Sequence, residues 1–160
     1  RFRVGEQFTG ENWKGNETKI QQLKIYYSDI EDDLSNAVGS DPGDSLQFTM
    51  YEEGTAMVIF NSVNSFIELE ASKFNEYLHE DGLTSAIEYR KEHQETDSIG
   101  REYYQRSVKT IVQVGAKKTE VCKKQTSLPL DLIPLSNPYG LNNKDTLMVK
   151  LLFNGEPLSN

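Results

Sequence analysis

The sequence predicts a mainly β fold: an antiparallel β-sandwich interrupted by a two-helix excursion at about residues 72–94. Three observations carry this. Runs of alternating apolar and polar residues recur at Leu23–Tyr27, Leu46–Met50, Phe66–Glu70, Arg101–Val114 and Leu147–Phe153, the period of half-buried strands. Turn-forming residues separate these runs at short intervals, which favours antiparallel connections over an α/β sheet. Between them the period changes once: Phe74, Tyr77 and Leu78 are spaced i, i+3, i+4, one side of a helix.

Taken in order, Arg1–Gly5 reads as the tail of a strand and residues 5–18 as a loop whose large apolar groups are Phe8 and Trp13. Trp13 is expected to lie over a core edge, because its ring buries a large area; ligand stacking is the alternative. Asn16-Glu17-Thr18 fits an N-glycosylation acceptor, a pattern common by chance. After the strand at Leu23–Tyr27, residues 28–45 read as a loop. A strand follows at Leu46–Met50, then a turn at Glu52–Gly54. The apolar run Thr55–Phe60 reads as a central strand.

In the helical stretch, Ser72 is expected to cap the first helix and Gly82 to end it in a left-handed conformation. Thr84 is expected to cap the second helix, whose inner side carries Leu83, Ala86, Ile87 and Arg90. One long strand from Arg101 ends at Gly115. It places Tyr104, Val108, Val112 and Val114 on one face and Tyr103, Lys109 and Ile111 on the other. A lysine-rich loop spans 116–126. Pro129 and Pro134 remove ladder donors from 128–135, which makes it an edge strand or a linker. Asn154-Gly155 reads as a hairpin turn after the last strand.

Seventeen basic residues against 25 acidic ones give a net charge of −8. No region is strongly basic, which argues against nucleic acid and anionic membrane as partners. No stretch approaches the roughly 20 apolar residues of a membrane helix, and no signal peptide is present. Both ends read as cut strands, so the chain is expected to be a piece of a longer one. The single cysteine, Cys122, cannot form an internal disulfide. It reads as a loop thiol without a role, although Lys117, Lys118, Lys123 and Lys124 could lower its pKa.

Catalytic inventories are thin. The only histidines, His79 and His93, fall among charged helical residues with no G-x-S-x-G elbow in the chain. Two His and one Cys show no zinc-type spacing, and no Gly-rich phosphate loop occurs. No catalytic and no metal residue is therefore assigned. Asp29, Glu31, Asp32, Asp33, Asp41 and Asp44 crowd one stretch and could supply oxygens to a weak calcium site. A plain acidic loop is the competing reading, because short charge runs usually form a solvated surface. Arg90, Arg101, Tyr104, Arg106 and Lys109 form the other candidate set. They make either ion pairs that dock the excursion, or a cationic, aromatic-edged pocket for an anionic ligand.

Phe74, Tyr77, Leu78, Gly82 and Leu83, then Arg90, then Gly100, Arg101, Glu102, Tyr104, Arg106, Lys109, Val114 and Gly115 carry a resemblance. The pattern resembles a bacterial exported family, catalogued as a domain of unknown function and nicknamed for nickel-uptake substrate-specific components. The likeness is to a Bacteroidetes-type member, here a fragment. The resemblance implies an immunoglobulin-like sandwich at 1–134, then a linker and the first strand of a truncated second β module at 135–160. It also implies a periplasmic or cell-surface location, with the export signal outside this piece. The family's metal candidate, a histidine near the mature N-terminus, would also lie outside it. The expected function is an exported non-enzymatic binding or accessory module linked to nickel or cobalt uptake. The alternatives are a periplasmic carbohydrate- or peptide-handling enzyme and a structural spacer. No cofactor is assigned beyond weak calcium or nickel. The expected partners are a metal ion, a small anion or an envelope protein.

Overall fold

A computed structural model describes residues 2–5, 9–38 and 46–158. The fold is mainly β and β-sandwich-like, with antiparallel sheets and two helices. Its strands are β1 (Arg3–Val4), β2 (Glu11–Asn12), β3 (Ile20–Tyr27), β4 (Ile30–Asp33), β5 (Gly54–Ser62) and β6 (Ser65–Leu69). Helices α1 (Ala71–Glu80) and α2 (Thr84–Glu92) follow. Then come β7 (Gly100–Tyr104), β8 (Ser107–Val114), β9 (Leu130–Pro134), β10 (Val149–Phe153) and β11 (Glu156–Pro157). The chain forms two compact units, one of residues 1–63 with 106–160 and one of residues 64–105. The expected boundary between 134 and 135 falls inside the first unit, where β10 pairs back onto β9.

The first unit is built on a four-stranded sheet in the order β4-β3-β5-β8. β5 is central, as its continuous apolar run predicts, and is buried along nearly its whole length. Register sets the two faces, since side chains alternate along each strand. Leu23 lies opposite Phe60, Ile25 opposite Val58, and Val108 opposite Phe60 on the other side. Leu23, Val38 and Phe60 form one cluster, joined by Phe2, Trp13, Ile20, Leu34, Leu46 and Val58. On the other face Tyr26, Met57 and Ile59 pack with Leu128 and Val121. A second sheet, β9-β10-β11, buries Asp131, Ile133 and Leu152. Asp131 pairs with Lys109 of β8, and both side chains are nearly inaccessible.

A polar knot closes one end of β5. Thr55 is fully buried; its Oγ1 donates to Gln113 Oε1 at 2.8 Å and accepts from Thr119 N and Asn137 Nδ2. Asn137 also donates to the Thr119 carbonyl at 2.9 Å. Every polar atom named here has a partner, which is what makes a buried network stabilising.

The second unit is a two-stranded β6-β7 ribbon with α1 and α2 between its strands. The expected excursion at 72–94 forms, but with other caps. Glu70 and Leu83 occupy the N-cap positions, so Ser72 and Thr84 sit inside their helices. Gly82, at φ +67°, ends α1 as expected. Its N–H donates to His79 O, and Leu83 N donates to Leu78 O at 2.9 Å, the Schellman pattern.

Several expected loops and strands differ. Residues 30–33 form β4 rather than loop, because Ser28 takes a left-handed φ of 50° and turns the chain back into a hairpin. Residues 46–50 form no strand; Leu46 packs into the core cluster instead of joining a ladder. The long strand after residue 100 is broken into β7 and β8 at Gln105–Arg106, and the two halves join different sheets. At the break, Ser62 N donates to Arg106 O and Arg106 N donates to Ser62 Oγ.

Candidate functional site

In the excursion unit, Phe74 of α1 and the 95–99 loop meet at Arg90. Its guanidinium carbon lies 4.9 Å from the centre of the Phe74 ring. Its Nε donates to Asn75 Oδ1 at 3.1 Å, and its Nη2 donates to the Ser98 carbonyl at 2.7 Å and the Thr96 carbonyl at 3.5 Å. Asn75 Nδ2 donates to Thr96 O as well. The Phe74 ring lies flat against Gly100, where any Cβ would enter it. Tyr77 donates to Glu102 at 3.3 Å, and burial, reinforced by the Glu102 charge, pushes its phenol pKa up. These contacts hold α1 and the 95–99 loop to the ribbon, which is the docking role for Arg90.

A cavity of about 580 Å³ opens beside this hub, lined by Phe74, Tyr89, Arg90, Glu95, Ile99 and Arg101 among others. It brings together two of the five candidate residues, Arg90 and Arg101. Arg101 is engaged with Glu68 at 2.7 Å. Tyr104 lies on the ribbon face shared with Gly100 and Glu102. Arg106 belongs to the first unit. Lys109 cannot face a ligand: register turns it to the inner face of β8, where it is buried against Asp131.

Among the described residues the acidic stretch does not converge. Glu31 accepts from Lys24 at 2.8 Å and from Lys124 at 3.2 Å, and these bonds hold its carboxyl below the usual range. Asp33 is held low in the same way by the Ser35 side chain and by Ser35 N, which donates to it at 2.8 Å. Strand alternation sends Asp32 to the opposite face from Glu31 and Asp33. Asp29 lies in the preceding turn, and Asp41 and Asp44 lie outside the described residues. Among the described residues no three His, Cys, Asp or Glu side chains come together as a metal site. His79 is exposed, and His93 stacks on Tyr89 at 3.9 Å. Cys122 is fully buried in a 3-10 turn, and burial pushes its thiol pKa up, the reverse of the lysine effect expected from sequence.

The feature that residue-type inventories missed is apolar. In the first unit a groove of about 440 Å³ runs along the β5–β8 face. Val58 and Phe60 line it from β5 and Val108, Thr110 and Val112 from β8, with Phe2, Val4, Trp13, Leu46 and Phe48 contributing the rest. Phe2, Trp13 and Phe60 form a ring cluster with centroids 5.4 to 5.8 Å apart. Gly15 leaves room for the Trp13 ring. Val108 is 45 % exposed and Phe48 36 %. Arg3 and Arg106 also line the groove, and among the described residues no acidic side chain does. The sequence signal was there: Val108, Thr110 and Val112 alternate beside a strand whose apolar partners were legible. What could not be read was that nothing from the 46–50 run pairs onto that edge of the sheet.

A family model described as Domain of unknown function (DUF4198) matches residues 1–160. No curated protein and no solved structure matches the chain. Among the described residues no helix is long and apolar enough to cross a membrane.

Proposed function

The chain belongs to the DUF4198 family, and we propose that it is an exported, non-enzymatic binding or accessory module whose binding surface is the groove on the β5–β8 face. One observation carries the proposal: a concave apolar surface with exposed Val108 and Phe48 and a floor of three aromatic rings. Contiguous exposed apolar surface in a protein of this size marks an interaction site more often than an accident of packing. The export assignment and the link to nickel or cobalt uptake rest on the family resemblance. Calorimetry with nickel and calcium tests the metal link, which falls if the full-length protein takes up neither ion.

Trp13 is the chain's only tryptophan and lines the groove, so its fluorescence reports occupancy. The apolar anion anilinonaphthalene sulfonate is expected to bind saturably and to quench Trp13. Val108→Asp places a charge in the groove at an exposed position and is expected to weaken that binding about tenfold without unfolding the protein. Unchanged binding in the variant would remove the groove as the site.

A further inference from the structure

We infer that the occupant of this groove is an extended segment of a partner protein, apolar at alternate positions and acidic near one end, paired as an added strand on β8. The inference rests on the proposed binding groove and specifies what fills it.

The backbone supplies the first argument. Among the described residues β8 ends the four-stranded sheet and pairs on one side only, with β5. Parity along the strand is fixed at two points. The Arg106 carbonyl faces β5, accepting from Ser62 N, while the Ile111 carbonyl faces away, accepting from the Tyr139 hydroxyl at 3.1 Å. Backbone groups of Ser107, Lys109, Ile111 and Gln113 therefore point outward from the sheet, because direction alternates residue by residue. An edge with this row of donors and acceptors is a template for another strand.

The side chains supply the second. Val108, Thr110 and Val112 occupy the even positions and face the groove, so an added strand would lay its own alternate side chains beside them, over Trp13 and Phe48. A small amphiphile could fill the apolar space but would leave the outward backbone row unused. Only another polypeptide satisfies both.

Charge supplies the third. The chain carries a net −8, yet among the described residues the groove is lined by two arginines and no acid. Arg106 immediately precedes β8, so an antiparallel partner would bring its C-terminal end to that side, where acidic side chains or a terminal carboxylate meet positive charge.

The test uses the full chain and Trp13 fluorescence. The probe is a peptide of roughly ten residues, long enough to span β8, alternating valine with serine and ending in two aspartates. Saturable binding is expected. A second peptide with proline at the backbone-donating positions is expected to bind at least about tenfold more weakly, since proline removes the ladder donors. Tyr139→Phe releases the Ile111 carbonyl and is expected to tighten binding of the first peptide, while Val108→Asp weakens it. Equal binding of the two peptides would overturn strand pairing. Decanoate displacing anilinonaphthalene sulfonate while the peptide does not would overturn a polypeptide occupant and leave the groove standing. Loss of binding for every probe would remove the groove itself.

Discussion

In the first unit Leu23, Ala56, Met57, Ile59 and Leu152 are completely inaccessible, whereas the buried residues of the excursion are Leu78, Gly100 and a cation, Arg90. The larger unit can enclose aliphatic side chains between layers. The smaller one has too little volume for its surface to do so. It relies on one guanidinium that gathers a ring, an amide side chain and two loop carbonyls. The difference teaches that the same chain closes one unit by excluding water and the other by directed bonds. A fork of fixed geometry can satisfy several acceptors at once, which an ammonium cannot.

The largest effect is expected where the first unit breaks its own rule, at the buried Lys109–Asp131 pair. Asp131 also accepts from Thr126 N at 2.7 Å and from Thr126 Oγ1 at 3.0 Å. Asp131→Ala leaves a buried cation and should cost about 3–5 kcal/mol, read by denaturant unfolding. Lys109→Met combined with Asp131→Leu should recover most of that loss. A single-variant loss below about 1 kcal/mol would show that water reaches the pair.

Next comes Arg90→Met, with an expected cost of about 2–3 kcal/mol from the loss of charge-assisted bonds. Amide exchange should accelerate in residues 71–98 while the amides of β3 and β5 stay protected. Arg90→Lys should restore little. Equal acceleration in both units would dissolve the contrast, because it would mean that the two unfold as one.

A smaller cost, about 1–3 kcal/mol, is expected from Cys122→Ser, which puts a hydroxyl where a buried thiol packs. A loop thiol without a role, as the sequence reads, would make the same change neutral. The thiol also carries a pH signature. Its folded pKa is raised, so its contribution is intact below the ordinary thiol range and is lost as pH rises toward the folded value. A disulfide reagent should label it slowly until the chain unfolds. Rapid labelling of the native protein would contradict its burial.

The smallest change is a gain. Gln94 stands at the C′ position of α2 with φ +57°, while its neighbours make the same pair of bonds that Gly82 supports in α1. Gln94→Gly should stabilise the excursion by about 0.5–1 kcal/mol, visible as slower exchange in α2.

How much of this was legible follows the same contrast. Alternation located β3, β6, β8 and β10, a continuous apolar run located β5, and helical spacing located Phe74, Tyr77 and Leu78, because local patterning records which side of an element is buried. The polar closures were not legible. Asn137 reads as a turn residue, yet it reaches Thr55 across 82 positions of sequence. Asp131 reads as a polar interruption in an apolar run, yet it holds Lys109. The acidic stretch around Glu31 read as either a weak calcium site or a plain acidic surface, because composition reports charge without the lysines that pair with it. The candidate pocket was half visible. Arg90 and Arg101 were named for their density of charge, and they do share a cavity. The apolar groove went unseen because it depends on a strand that the 46–50 pattern promises and the fold does not make.

Ser62 and Arg106 hold each other at the point where β5 ends and β8 is about to begin. Remove residues 64–105 in thought, and what remains is an antiparallel hairpin needing only a tight turn. The excursion is thus cargo mounted in a socket. Lengthening a connection adds only about 0.6 kcal/mol of closure entropy per doubling, so that socket should accept foreign inserts of many sizes. An Asn-Gly linker in its place should leave the sandwich foldable, and new chain ends opened there should be tolerated as a circular permutation site.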